Sequence, residues 1–386
     1  MVEKADKTKL LILVAGAKGA IGTTLAAAVS TIKFDPEKIF RSLTTESEAL
    51  RPFMARDFGM AGWDKSEKTL TQALAKHGVL PESAWQTLSN ELESILIEKS
   101  PREDLPVQKQ VEKIMRDIKA FRGHDPNAMP VLVNLLPACA QTNLDAVNSL
   151  EQLYALKPEQ VSPDLVYVLG AVLSGVPVVN FTPNMVEVPV VIQAAFKQKT
   201  PISGRDGKTG QTYLKMVLAS ALKARKLQVN GWYSLNILGN ADGRNLMNPE
   251  NAAGKLVNKT DLLDEILGYS VGAQYDGPSH KVHIDYYPPR GDAKEAWDVI
   301  DFEGFMGMTM TLRMNLQGRD SILAAPLVLD LCRWMAALKQ IGRRGLVPEL
   351  AFYYKKAVGA NHLFTFQDQI LALENLEKEI CGTNLK

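Results

Sequence analysis

The run Leu10 to Ala15 (LLILVA) constrains this chain more than any other stretch. Six consecutive apolar residues leave no polar side, so a strand built from them must be covered on both faces. It ends at Gly16 and runs through Gly19 and Gly22 to Thr23 and Thr24, after which the alanine-rich LAAAVS reads as a helix. Strand, glycine turn and helix in that order form the first unit of a dinucleotide-binding sheet. The chemistry needs backbone N–H groups at a helix start to come close to a pyrophosphate, and side chains there would block the approach. The spacing is GxxGxxG rather than GxGxxG, and an ordinary tight turn is the plainer alternative. Its place directly after a buried strand favours the dinucleotide. Ile39 to Thr45 reads as strand two, but it carries Arg41 and Ser42 where a ribose-binding carboxylate would stand. NAD and NADP both stay open from this motif.

At 386 residues the length suggests two or three domains. A hydrophobic share of 46% supports a large core, and a net charge of +1 argues against a general nucleic-acid surface. Cys139, Cys332 and Cys381 are far apart and form no CxxC unit, so they read as buried free thiols in a reducing compartment. The start, MVEKADKTKLLILVAGAKG, does not read as a signal peptide, and no stretch reads as a membrane span. A cytoplasmic location is expected.

Along the chain, about 46–121 reads as a polar helical insertion, with helices near 67–77, 82–98 and 107–121. Pro130 to Leu136 and Val176 to Phe181 read as strands, and Leu165 to Ser174 and Val188 to Gln198 as helices, an alternation that predicts an α/β fold with a largely parallel sheet. Beyond Gly204 the texture changes. A helix over Thr212 to Lys226 precedes strand-like runs at Trp232–Leu238, Lys281–Tyr287 and Met308–Leu316, which predict a second, α+β unit on an open sheet whose exposed face suits an oligomer contact. From Asp320 a long apolar helix and two further helices return to cover the first unit. The expected division is a Rossmann-like dinucleotide domain, 1–203 with 320–386, and a catalytic and oligomerisation domain, 204–319.

Three polar clusters carry the chemistry. Asn236 to Lys259 (NILGNADGRNLMNPENAAGKLVNK) gathers amides, one aspartate and two lysines, Gly204 to Thr212 reads GRDGKTGQT, and residues 291–294 read GDAK. Taken alone, Asn236, Asn240 and Asp242 suit an Asx-rich turn. Lys255 and Lys259, four apart, repel on one helix face unless an anion lies between them, and crowding depresses an ammonium pKa toward useful basicity. With Lys208 and Lys294 they make four lysines in glycine-flanked polar loops, the inventory a phosphosugar pocket needs. His280 and His283, three apart in a strand, face opposite ways and make a poor metal pair. No metal site is legible.

The chain resembles the myo-inositol-1-phosphate synthase family over nearly its whole length. The matching pieces are GAKGAIGTT at 16–24, GWD at 62–64, NFTPN at 180–184, GRDGKTGQT at 204–212, LGNADGRNL at 238–246, KLVNK at 255–259, GDAK at 291–294 and DSILAAPLVLDL at 320–331. The resemblance implies NAD as cofactor and redox-neutral cyclisation of D-glucose 6-phosphate to an inositol monophosphate. The steps are oxidation, enolisation, aldol closure and reduction. It also implies a homotetramer and a role in inositol and phospholipid biosynthesis. It assigns catalysis to Lys255, Lys259, Lys294 and Asp206. Substrate binding goes to Thr209, Gly210, Gln211, Asn236, Leu238, Asn240, Asp242 and Asp320. Gly16, Gly19, Ala20, Ile21, Gly22, Thr23, Asp64 and Thr182 fall on the cofactor side, with Asp206 near the nicotinamide.

Three departures bear on the substrate. Arg205 replaces one acid of the family's GDD-type motif, and Leu256 replaces a glutamate of the KEISK-type motif. A C-terminal lysine of the family would fall near Asp368, where none stands; Lys355 or Lys356 is the available substitute. The competing readings are cyclisation of another sugar phosphate, a simple NAD(P)-dependent dehydrogenase that accumulates NADH, and a non-catalytic sugar-phosphate sensor.

Overall fold

A computed structural model describes residues 9–53, 58–248, 262–275, 277, 279–360 and 362–384. Strands are numbered in chain order. Seven of them, β1 (Leu10–Ala15), β2 (Phe58–Asp64), β3 (Leu96–Lys99), β4 (Met129–Asn134), β5 (Val178–Asn180), β6 (Pro201–Gly204) and β11 (Gly345–Leu346), form one sheet in the order β11-β6-β5-β4-β1-β2-β3. Every pairing in it is parallel. Read from β3 to β6, this is the doubly wound order, with its topological switch between β1 and β4.

β1 shows why the sheet is buried on both sides. Leu10, Ile12 and Val14 point into one core with the helices Ala20–Ile32 and Asp320–Gln340. Leu11, Leu13 and Ala15 point into the other, with the helices Val107–His124 and Pro163–Leu173. The helix Asp320–Gln340 is long and apolar enough to cross a membrane by composition, yet 83% of its most apolar window is buried inside the protein. It is a core helix here.

The second sheet has the order β10-β9-β7-β8, from β7 (Gln228–Leu238), β8 (His280–Tyr286), β9 (Ala293–Glu303) and β10 (Thr309–Arg319). β7 and β8 run parallel, and the other neighbours are antiparallel. One face packs on the helix Gln211–Ala224, where Met216, Ala219 and Leu222 meet Val229, Trp232 and Ile300. β10 and the turn before it leave Phe305, Met306, Met308 and Met310 exposed.

Four sequence expectations are corrected. Ile39 to Thr45 is not a strand, because Asp35 accepts from the Lys38 N–H and caps a short helix, Pro36–Phe40. The true second strand is Phe58–Asp64, so the stretch 46–121 is not a helical insertion but contributes β2 and β3 to the sheet. The expected helix over 82–98 breaks into short turns, the helix Ser89–Glu93 and β3. Between Asp320–Gln340 and the C-terminal helix Phe366–Asn384, the second expected helix is only a 3₁₀ segment, Pro348–Tyr353.

Candidate active site

The first part of the site follows from strand register. Ala15 pairs with Trp63 and Asn134, Asn134 with Asn180, and Asn180 with Gly204, so the C-terminal ends of β1, β2, β4, β5 and β6 form one level edge. A cleft of about 560 Å³ opens along it, lined by Gly16, Gly19, Asp64, Ser100, Leu136 and Asp164 among others. Ligands of doubly wound sheets bind in such a crevice at the switch point.

Gly16 has φ +85°, and its backbone packs against the Leu135 carbonyl. A Cβ on Gly22 would sit 2.5 Å from the Ala17 oxygen, which shows how tightly the turn folds under the helix start. The first helical hydrogen bond runs from the Thr23 N–H to Gly19. The N–H groups of Ala20, Ile21 and Gly22 therefore precede it and face outward for an anion. The Thr23 hydroxyl donates to the Gly19 and Ala20 carbonyls, and the residue is fully buried under the helix start.

Asp64 proves to be the last residue of β2, the position of the ribose-binding carboxylate. It accepts from the Lys18 and Ser66 N–H groups at 2.8 Å, which fix its direction at the cleft mouth. The residues thus fit a dinucleotide, and the terminal carboxylate favours a free ribose hydroxyl over a phosphate there.

Deeper along the edge, Thr182 and Asn134 donate to Asn180 at 3.0 Å, and Asn134 and Asn184 donate to Asp164 at 2.7 and 3.0 Å. Burial outweighs these bonds and raises the Asp164 pKa. Thr182 also accepts the Asp206 N–H through its carbonyl, which joins the cofactor edge to the second cluster. Gly204 lies three strand spacings from Ala15, about 14 Å.

The second cluster assembles from distant segments. Lys355 Nζ donates to Asp206 Oδ1 at 2.7 Å. Thr209 donates to Asp320 Oδ1 at 3.1 Å and Lys294 Nζ to Asp320 Oδ2 at 3.2 Å. The cause is topological: Lys294 opposes Gly318 across the β9–β10 pair, and β10 runs straight into the helix that Asp320 begins. Burial pushes the Asp320 carboxyl up, but Lys294 and Lys355 outweigh it and hold the group below its usual range.

Of the other expected substrate residues, Gly210 and Gln211 begin the helix Gln211–Ala224. Asn236 is buried on β7 and its Oδ1 has no partner among the described residues. Leu238 ends β7, and its carbonyl accepts from Tyr287. Asn240 accepts from the Gly243 N–H and also supports Asp292, whose carboxyl is raised mainly by burial. Asp292 Oδ2 is likewise buried with no partner among the described residues. Leaving such an atom unpaired costs about 1–3 kcal/mol, which a polar ligand would recover. Asp242 lies in the short helix Ala241–Asn245. Lys255, Leu256 and Lys259 lie outside the described residues.

Three lysine and arginine positions are settled by contacts. Lys208 does not reach the pocket: its ammonium is buried against Gln369 Oε1 at 2.7 Å and the Ala351 carbonyl at 3.1 Å, and burial lowers its pKa well below the usual value. Arg205 pairs with Glu187 at 3.2 Å, so the charge introduced by this departure is offset within the protein. Of Lys355 and Lys356, named as substitutes for the lysine sought near Asp368, Lys355 is the one whose ammonium meets Asp206. Asp368 caps the C-terminal helix, accepting from the Thr365 N–H and hydroxyl.

One buried lysine in the helix Gln211–Ala224 yields a stability prediction. Lys215 is 3% exposed and burial lowers its pKa to about 8, with Asp298 pulling the other way. Between about pH 8 and the ordinary lysine value of 10.5, the unfolded chain binds more protons here than the folded one. Stability contributed by this site therefore rises with pH across that window, by about 3 kcal/mol at most. Urea unfolding of Lys215→Met and wild type from pH 7 to 10 is expected to show a steeper rise in wild type, the excess being the share of Lys215. Lys208 is common to both and cancels. Parallel curves would remove the assignment.

Fold and site together define a Rossmann-like α/β protein with an appended polar cluster that carries Lys294 and Lys355. The family model described as myo-inositol-1-phosphate synthase matches residues 210–321. Inositol-3-phosphate synthase 1 of Bacteroides thetaiotaomicron is 32% identical, covering 90% of this chain and 89% of the relative. The Oryza sativa subsp. japonica inositol-3-phosphate synthase 1 is 30% identical over 84% of this chain and 73% of its own length. In fold, the Caenorhabditis elegans inositol-3-phosphate synthase structure matches with a TM-score of 0.84, 22% identity, and coverage of 97% of this chain and 86% of that one. A myo-inositol-1-phosphate synthase-related protein from Thermotoga maritima matches at 0.73, also with 22% identity, covering 97% of this chain and 98% of that one. The chain belongs to the myo-inositol-1-phosphate synthase family.

Proposed function

We propose that this protein is an NAD-dependent inositol-3-phosphate synthase that converts D-glucose 6-phosphate to an inositol monophosphate without net redox change. The observation that carries the reading is the convergence of Lys294, Lys355, Asp206, Thr209 and Asp320, from four separate segments, beside Gly204 at the end of the parallel sheet's edge. Bound NAD would accept a hydride from the sugar and return it after ring closure.

The chain's own groups do the rest. Lys294 and Lys355 carry two ammonium charges against Asp206 and Asp320, so the pocket is near neutral before an anion enters. Lys355 and Lys294 are positioned to hold phosphate and to stabilise the enolate oxygen that develops beside a newly formed ketone, a contribution of about 2.7–4 kcal/mol per preorganised donor. Thr209 and Gln211, set by the helix start, orient the open-chain sugar so that its two ends meet, which turns closure into a unimolecular step. Lys255 and Lys259 are proposed to complete this set on the strength of the family motif. The base among these lysines is left open.

The same reading divides the chain into a dinucleotide unit, 1–203 with 320–386, and a catalytic unit, 204–319. It also takes the exposed Phe305, Met306, Met308 and Met310 as part of a homotetramer contact, in a cytoplasmic enzyme.

Incubating the protein with glucose 6-phosphate and NAD is expected to yield a cyclitol monophosphate by NMR, with no net absorbance gain from NADH. Steady NADH accumulation with an oxidised sugar product would replace this reading with a simple dehydrogenase.

A further inference from the structure

Behind Gln211 the fold buries a polar cluster that the proposed chemistry does not use. Gln211 Nε2 donates to Asp298 Oδ2 at 2.8 Å, and both residues are buried. Asp298 lies on the inward face of β9, and its other oxygen accepts from Trp232 Nε1 at 2.8 Å and Ser234 Oγ at 2.5 Å. Ser234 accepts in turn from Lys215 Nζ at 3.0 Å, and the same amine lies 2.7 Å from His280 Nε2. Lys215 also sits 5.4 Å from the Trp232 ring centroid.

A buried carboxylate costs several kcal/mol unless compensated, so this arrangement needs a role. An ionised Asp298 is acceptor-only, and Trp232 and Ser234 already hold one of its oxygens. The Gln211 amide therefore has one orientation, with its NH2 on Asp298 and its carbonyl Oε1 left over. Lys215 reaches this carboxylate through Ser234, which accepts from its amine and donates to Asp298. Without Asp298 the amide could turn either way and present donor or acceptor indifferently.

We propose that Asp298 is a positioning residue for substrate, acting through Gln211 so that the pocket presents a hydrogen-bond acceptor to one hydroxyl of the open-chain sugar. The proposal rests on the sugar-phosphate reading above and adds the polarity of one contact. It restricts the substrate to sugar phosphates with a free hydroxyl there; a carbonyl or ether oxygen at that carbon would meet the Gln211 carbonyl and be rejected.

The test inverts the contact and then restores it. In Asp298→Asn, the new amide keeps accepting from Trp232 and Ser234, and its NH2 turns the Gln211 amide round to expose a donor. Adding Gln211→Glu gives that NH2 a carboxylate oxygen to donate to and leaves the second carboxylate oxygen for the sugar. NAD-loaded wild type, Asp298→Asn and the double variant are compared in kcat and KM on glucose 6-phosphate. Their Kd for glucitol 6-phosphate, an open-chain polyol phosphate, is measured by calorimetry.

Asp298→Asn is expected to lose about 100-fold in kcat/KM and at least about 10-fold in polyol phosphate binding, with NAD affinity unchanged. The double variant is expected to recover about 10-fold of each. A double variant no better than Asp298→Asn would make Asp298 merely structural and overturn the proposal. If Asp298→Asn does not fold, the charge-conserving double variant is judged against wild type: polyol binding within about 10-fold supports the proposal, and a loss beyond about 100-fold overturns it. Wild type that binds glucitol 6-phosphate without turning over glucose 6-phosphate would refute the synthase reading alone, and the binding series then decides this proposal. Wild type that binds no polyol phosphate overturns both.

Discussion

Lys294→Ala is expected to lower kcat on glucose 6-phosphate by about 10²–10³-fold, the effect of removing one preorganised donor to a developing oxyanion. NAD affinity should stay at the wild-type value. The argument is local. Lys294 is half-buried, donates to Asp320 and, with Lys355, holds that carboxyl below its ordinary pKa. Without Lys294 the pocket loses one cation where negative charge develops, and burial again raises the Asp320 carboxyl. The variant should therefore lose activity as pH falls sooner than wild type does, since Asp320 takes up its proton at higher pH. The dinucleotide turn is untouched, because Lys294 belongs to the second sheet. Rapid-quench kinetics and a fluorescence titration with NAD separate the two quantities. A kcat within a few-fold of wild type would remove Lys294 from the chemistry.

Gly22→Ala is expected to raise the Kd for NAD about 100-fold or more, equivalent to about 2.7 kcal/mol. The added Cβ would lie 2.5 Å from the Ala17 oxygen and 2.7 Å from the Gly16 oxygen, both backbone atoms that no side-chain rotation can clear. The helix Ala20–Ile32 must move away from the turn, and the N–H groups that would face the pyrophosphate move with it. Gly123→Ala is the matched control. It lies in the helix Val107–His124 with nothing near its Cβ position, and alanine there should be neutral or stabilising by about 0.5–1 kcal/mol. Calorimetric titration with NAD checks both. Wild-type affinity in Gly22→Ala would mean that the glycine turn does not cradle the cofactor.

The parts of this structure legible in sequence were those whose side chains repeat one message. β1, the glycine turn and the apolar helix after Asp320 each combine pattern, length and boundary residues that agree. β2 was hidden because FGMAGWD mixes glycines with apolar residues, and its glycine at Gly62 is required by the close approach of Val14 on β1. β9 was hidden because its inward row, Ala296, Asp298 and Ile300, places a carboxylate in the centre of a buried face. That pattern reads as a polar loop until Trp232, Ser234 and Gln211 are brought to it. Lys208 misled for the opposite reason, since a glycine-flanked lysine looks exposed although a glutamine and a carbonyl hold it inside. Lys355 and Lys356 were offered by sequence only as alternatives, and the bond to Asp206 tells them apart.

Thr209 and Asp320 touch, although 111 positions separate them. The chain thus departs from the parallel sheet and comes back to it at nearly the same point, so the intervening stretch is a cassette with adjoining ends. Grafting a relative's counterpart between these two joints needs no change in the span that the host must close, and the nucleotide-facing edge keeps its shape whichever cassette it carries.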